Sequence, residues 1–306
     1  MQKAITYSSF GDSSVLTLSE IPVAEPGPGQ VRVQVHYSGV NPVDWKMRQG
    51  YLSGGQPLAA PQITGMDMAG IVDAVGPGVA GFAPGDRVAG LVAEGTAAEY
   101  VVAYAAALAP LPDSVTLASG ASVGVTGTTA VRALGQAGVA AGESILVDGG
   151  AGGVGIVLTQ LALARGIRVV ATASERNHDH LRALGVTPVA HGDGWEERAL
   201  QANGGSFNAA FDLVTGGKLD SMTALTGSAA KVVTLVDPAV AEAGGVLVTG
   251  LEPGFDGALR EVVAALAEGG LSVPVQQIFP LAEADAAQDL SAEGHVRGKL
   301  LLAVAA

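Results

Sequence analysis

The residues Val147-Asp148-Gly149-Gly150-Ala151-Gly152-Gly153-Val154-Gly155 have the types and spacing to hold a pyrophosphate. Gly150, Gly152 and Gly155 fall in a G-x-G-x-x-G pattern. The first glycine permits a tight turn. The second lets backbone approach a phosphate, and the third lets helix and strand pack closely. Spacing alone means little in a chain with 44 glycines. The flanks give it meaning. Ser144–Val147 reads as a buried parallel strand entering the loop. Ile156 to Arg165 reads as an apolar helix leaving it, so the helix N-terminus would face the phosphates. Gly150, Ala151, Gly152, Gly153, Val154 and Gly155 are therefore expected to bind a dinucleotide.

The next strand, Arg168–Ala173, ends at Ser174, followed by Glu175, Arg176 and Asn177. An NAD binder usually places an acid there, about 20 residues past the loop, on the ribose hydroxyls. A small neutral Ser174 with Arg176 nearby suits a 2′-phosphate, so the expected cofactor is NADPH. Glu175 could instead point inward and serve NAD. Asp148 is an oddity, because a carboxylate just before a phosphate loop is electrostatically unhelpful; the sequence leaves open whether it faces the cofactor or points away.

These residues need elements to position them. Residues 1 to about 110 read as β-rich, with Val31–Val35 and Gly70–Val75 as strands, and Gly85-Asp86-Arg87-Val88 as a turn entering another. Dense Pro and Gly punctuation is that of a small barrel. From about 121 the texture changes. Strands at 144–147, 168–173, 209–214, 231–235 and 245–249 alternate with helices at 156–165, 177–184, 219–226 and 258–267, which predicts a doubly wound parallel sheet. Leu300–Val304 reads as a final strand that returns to the first domain.

The 306 residues carry net charge −13, and 48% are hydrophobic. That argues against nucleic-acid or anionic-membrane partners and for a sizeable core. An anionic cofactor must be held by local groups against the overall field. With no cysteine, thiolate nucleophiles, disulfides and cysteine-ligated zinc are excluded. His178 and His180 are two apart and do not share a helix face, so no metal site is expected. No Tyr-x-x-x-Lys pair is present. The start, Met1-Gln2-Lys3-Ala4-Ile5, has no signal-peptide pattern, and the expectation is a soluble cytoplasmic protein.

Several motifs coincide: Gly39-Val40-Asn41-Pro42-Val43-Asp44, Gly65-Met66-Asp67-Met68-Ala69-Gly70, Gly85-Asp86-Arg87-Val88, Gly127-Thr128-Thr129-Ala130, the glycine loop, and Gly298-Lys299-Leu300-Leu301-Leu302. Together they resemble the zinc-free quinone oxidoreductase branch of the medium-chain dehydrogenase/reductase superfamily. The resemblance implies an α/β architecture: a GroES-like β-barrel domain, taken as 1–120 with 271–306, plus a Rossmann domain, 121–270, with the active site in the cleft between them. Zinc-dependent relatives have a cysteine where Asn41 stands and a His-Glu pair where Met66 and Asp67 stand.

The resemblance also places Thr126 and Thr129 near the nicotinamide and Lys299 on the cofactor side. It puts Asn41, Asp44 and Tyr51 along the substrate segment. Asn41 can offer amide donors to a carbonyl oxygen. Tyr51 could donate a proton or line the pocket. Asp44 is expected to fix the loop through backbone hydrogen bonds rather than to transfer protons. Lys46 and Arg48 could meet an anionic substrate. The implied activity is NADPH-dependent, zinc-independent reduction of a quinone or conjugated enone. An enoyl-thioester or biosynthetic-intermediate reductase is the alternative, and an NADPH-binding sensor or structural protein with little turnover is the other. A homodimer through Rossmann edge strands is implied as well, with Gly245–Leu251 as the candidate segment.

Overall fold

The computed structural model describes residues 1–93, 95–250 and 252–305. Leu251, at the end of the candidate interface segment, lies outside the described residues. The chain forms two compact units, Met1–Val125 with Leu259–Ala306, and Thr126–Ala258. The sequence-based bounds stand a few residues from the first boundary. They stand further from the second, because α9 (Ala258–Ala267) begins where the second unit ends.

In the first unit the strands are β1 (Gln2–Tyr7), β2 (Thr17–Ile21) and β3 (Gln30–Val40). Helix α1 (Pro42–Arg48) follows, then β4 (Gln62–Ile63), β5 (Asp67–Val75), β6 (Arg87–Leu91), β7 (Tyr100–Tyr104), β8 (Leu108–Pro110) and the short helix α2 (Leu117–Ala121). β3 shows why it forms. Val31, Val33 and Val35 are fully buried, while Gln30, Arg32 and Gln34 between them keep partial exposure, the period of a sheet with one dry face. Each such valine contributes roughly 1.5–3 kcal/mol. Gly70 is required on β5: a Cβ there would lie 2.0 Å from the Gln34 carbonyl oxygen.

The second unit is the doubly wound sheet. Helix α3 (Gly124–Ala137) leads to β9 (Ser144–Asp148), α4 (Gly153–Ala164) and β10 (Arg168–Ala173). Then come α5 (His178–Ala183), β11 (Thr187–Ala190), α6 (Trp195–Asn203) and β12 (Ala209–Asp212). α7 (Leu219–Thr226), β13 (Val232–Thr234), α8 (Pro238–Glu242) and β14 (Val246–Leu247) complete it. The six strands are all parallel in the order β11-β10-β9-β12-β13-β14. The order reverses between β9 and β12, and ligands of such sheets bind outside the carboxyl ends of the strands at that point. Every residue of β9 is buried.

After α9 the chain adds β15 (Val275–Pro280), α10 (Ala284–Glu293) and β16 (Lys299–Ala303). β16 pairs antiparallel with β3 and parallel with β15, so the last strand does return to the first sheet. That sheet runs β15-β16-β3-β5-β6-β8, with β7 also on β3. Sequence reading passed over α1, α6 and α10, which are short or carry many polar residues, so their apolar period is weak. It placed strands at 231–235 and 245–249, which are trimmed to Val232–Thr234 and Val246–Leu247. Among the described residues no helix is long and apolar enough to cross a membrane.

Candidate functional site: a glycine cradle and a buried polar network

The glycine loop sits between the carboxyl end of β9 and the start of α4. The positive φ, +84°, falls on Gly149 rather than on the first glycine of the motif. Gly150 is needed for packing, since a Cβ there would come within 2.5 Å of the Ala171 Cβ on β10. Gly155 permits the close helix–strand approach, because a Cβ would stand 2.2 Å from the Gly149 carbonyl oxygen. At Gly152 a built Cβ would meet only the Gly149 carbonyl oxygen, at 3.4 Å, an ordinary contact, so this position is less constrained than Gly150 or Gly155. Gly152 caps α4 with no side-chain hydrogen bond. Gly152, Gly153 and Val154 are partly exposed, while Ala151 and Gly155 are buried. The first-turn N–H groups of α4 have no acceptor within the helix, and with the helix dipole they suit an anion.

Asp148 is 1% exposed and points into the sheet. Thr172 on β10 donates a hydrogen bond to its Oδ1, and the Lys218 ammonium reaches its two oxygens at 2.8 and 2.7 Å. Lys218 also stands 5.3 Å from the centroid of the Trp195 ring. The carboxylate that seemed unhelpful is thus neutralised by a lysine 70 residues away, for which the sequence carries no local signal. Asp212, paired with Asp148 in the β9–β12 register, is 2% exposed, and burial pushes its carboxyl above its ordinary value. Its Oδ2 accepts from Thr234 Oγ1 at 2.9 Å.

Ser174 follows β10, half-buried, with Glu175 and Arg176 exposed after it. Its Oγ lies 3.2 Å from His191 Nε2. His178 Nε2 faces the Ala173 carbonyl at 3.2 Å. Thr126 and Thr129 are one turn apart on α3, the first buried and the second half-buried.

In the first unit, three strand ends converge on a polar network. Asp67, fully buried at the start of β5, accepts at Oδ2 from Lys299 Nζ (2.6 Å) and from Asn41 Nδ2 (3.0 Å), and at Oδ1 from the Val125 N–H (2.5 Å). Lys299 also donates to Asn41 Oδ1. Asn41 and Lys299 are each 2% exposed. An ammonium in such a place needs partners on several sides, and Lys299 has two of them, Asp67 and Asn41, within its own unit. The Asn41 amide, expected to meet a carbonyl oxygen, is likewise engaged by Asp67 and Lys299.

Asn41 is the N-cap of α1, and Asp44 Oδ2 accepts from the Asn41 N–H at 2.7 Å, a capping box with Pro42 at the first helical position. Asp44 thus fixes the loop, as expected. It is 4% exposed, and burial pushes its carboxyl up to about 7. Its Oδ1 has no hydrogen-bond partner. Tyr51 is 69% exposed and meets Trp45 edge-on, centroids 6.3 Å apart. Lys46 lies over the Trp45 ring. Arg48 does not face a substrate: it is 1% exposed, donating to Gln288 Oε1 at 2.7 Å and the Gly11 carbonyl at 2.8 Å.

Comparison with known proteins agrees with this geometry. Residues 27–113 match the alcohol dehydrogenase GroES-like domain, and residues 184–302 the family described as zinc-binding dehydrogenase. A quinone oxidoreductase from Coxiella burnetii superposes with a TM-score of 0.87 at 32% identity, over 99% of each chain. The chain belongs to the quinone oxidoreductase branch of the medium-chain dehydrogenase/reductase superfamily. Mycobacterial Rv1454c complexed with NADPH aligns over 99% of this chain and all of its own, TM-score 0.85, 29% identical. Rat quinone oxidoreductase is 40% identical over 176 residues, 56% of this chain and 53% of the rat protein, so the match spans about half the length of that relative.

Asn41 and Asp67 stand at two positions where zinc-dependent relatives hold the metal-binding residues. Here Asn41 Oδ1 and Asp67 Oδ2 both face the Lys299 ammonium. Among the described residues no group of three or more His, Asp or Glu could hold a metal ion. This donor set does not fit zinc.

Two outcomes are expected. The Asp44 carboxyl titrates near 7 in the fold but near 3.8 free in solution. Protonated Asp44 therefore favours the native state at low pH, and that advantage disappears as pH rises from about 4 through about 7. Asp44→Asn keeps the capping acceptor without the charge. In urea melts it should gain stability relative to the parent across that window, on the order of 4 kcal/mol at most; parallel pH curves would refute the assignment. Lys218→Met leaves Asp148 uncompensated beside the phosphate loop. Dinucleotide binding, read by fluorescence, should weaken about tenfold, and adding Asp148→Asn should restore it. If the double variant stays weak, Lys218 acts on the ligand directly.

Proposed function

We propose that this chain is an NADPH-dependent, zinc-independent reductase of quinones or conjugated enones. The observation that carries the reading is the glycine loop at the strand-order reversal, leading into the N-terminus of α4, with Ser174 in place of an acid after β10. The names of the relatives and the NADPH complex of a structural neighbour support it. Bound there, the reduced nicotinamide would supply a hydride, which with one proton converts a quinone to a hydroquinone or an enone to a saturated ketone. The N–H groups of Gly153, Val154 and Gly155 would hold the pyrophosphate, and Ser174 and Arg176 the 2′-phosphate. Thr126 and Thr129 would meet the carboxamide. In the first unit, Asn41, Asp44, Asp67 and Lys299 set the framework, and the exposed Tyr51 phenol or water would deliver the proton. Positioning rather than a strong general acid would supply most of the rate.

NADPH oxidation should proceed with a chelator present, faster than with NADH, on a panel of ortho- and para-quinones, simple enones and an enoyl-coenzyme A. Preference for the enoyl thioester would transfer the assignment to that substrate class. Tight NADPH binding with no turnover on any acceptor would make the protein a binding module.

We also propose a homodimer through β14, the edge strand of the parallel sheet. Val248 is 7% exposed within one chain, so the half-buried Val246 is the better probe. Val246→Lys should give a monomer by sedimentation velocity with an unchanged melting temperature; a persisting dimer would exclude this edge.

A further inference from the structure

The register of β10 and β11 sets two side chains together. Ala173 pairs with Ala190, so Ser174 and His191, one residue further along each parallel strand, stand side by side with Oγ 3.2 Å from Nε2. His191 is exposed and Ser174 half-buried, so both can be reached by a ligand. The loop carrying His191 is held from α6. Arg198 donates to the Ala190 carbonyl at 3.3 and 2.8 Å, to the Gly192 carbonyl at 3.2 Å and to the Asp193 carbonyl at 2.8 Å. A planar guanidinium engaging three carbonyls of one loop, on either side of His191, fixes backbone position far better than one bond would. Gly192 and Gly194 take the positive φ values, +92° and +74°, that the turn requires.

We propose that His191, pinned against Ser174 by Arg198, makes recognition of the NADPH 2′-phosphate depend on proton concentration, and with it the choice of NADPH over NADH. The inference rests on the dinucleotide reading above. A phosphate monoester accepts hydrogen bonds on three oxygens, and a hydroxyl beside an imidazolium offers a matched neutral and charged donor. Histidine is the side chain whose charge changes between pH 5 and 8. A ribose diol, as in NADH, gains little from that charge.

The other charged groups around this pair are accounted for by element. Glu175 and Arg176 lie on the turn after β10, and Asp193 on the loop of His191 itself. On α5, which also carries His180, His178 faces the Ala173 carbonyl and Asp179 pairs with Arg182 at 2.7 Å. On α6, Arg198 is committed to the loop and Glu196 accepts from Ser221 Oγ at 2.8 Å, with Glu197 next to it in sequence.

The test is calorimetric and needs no turnover. Adenosine 2′,5′-bisphosphate and adenosine 5′-monophosphate are titrated into the full chain between about pH 6.5 and 8.5. The bisphosphate should lose roughly tenfold more affinity than the monophosphate over that range. His191→Gln should abolish the excess and leave the monophosphate unchanged. The ligand's own phosphate titrates identically with parent and variant, so the difference between them isolates the imidazole. Arg198→Ala should weaken the bisphosphate selectively, whereas equal weakening of both ligands would reduce Arg198 to a fold element. Superimposable profiles for parent and His191→Gln, with both ligands bound, overturn the role of His191 alone. Failure of both ligands to bind at any pH overturns the dinucleotide reading and this one with it.

Discussion

A fully buried carboxylate must be given enough donors or it destabilises everything around it. Asp67 is the case here. Its two oxygens collect an ammonium from β16, an amide from the end of β3 and a backbone N–H at the start of α3. No one of these elements could supply all three donors. Satisfying Asp67 therefore fixes the relative register of β3, β5 and β16, and with it the N-cap of α1 and the turn that presents Tyr51. Removing a partner from a buried pair of this kind costs about 3–5 kcal/mol. The constraint explains why Lys299 and Asn41 hold the framework before they can do anything else.

The second unit solves a related problem with opposite geometry. Its carboxylates, Asp148 and Asp212, stand side by side where parallel strands end, the place where an anion would bind. Lys218 and the hydroxyls of Thr172 and Thr234 neutralise or occupy most of their oxygens. The chain as a whole is strongly acidic, so a local balance of this kind decides whether a phosphate is welcome. A single lysine after β12 and the bare N-terminus of α4 provide it.

Much of this architecture was legible in the sequence because it depends on local period. The Arg168–Ala173 strand, the Leu219–Thr226 helix and the Ala258–Ala267 helix are found at the expected residues. The glycine loop announced itself through its flanks. The motifs around Asn41, Asp67 and Lys299 gave no sign that these side chains touch, since partners 232 and 258 residues apart leave no period to read. Arg48 read as a charge that could meet an anionic substrate because nothing nearby reveals that Gln288 and the Gly11 carbonyl will enclose its guanidinium. Lys218 and Arg198 were invisible for the same reason: each does its work on residues of another element or loop.

The pairing of β16 with β3 has a consequence for the order in which the protein can be made. The second unit is one continuous stretch, Thr126–Ala258, while the first is interrupted by it. A growing chain emerges N-terminal end first, so the parallel sheet has all its strands before β16 exists. The first sheet must wait, with Asp67 lacking its cation and β3 lacking a neighbour, until Lys299–Ala303 arrives. The interrupted unit is thus completed by β16 only after every strand of the continuous one has emerged.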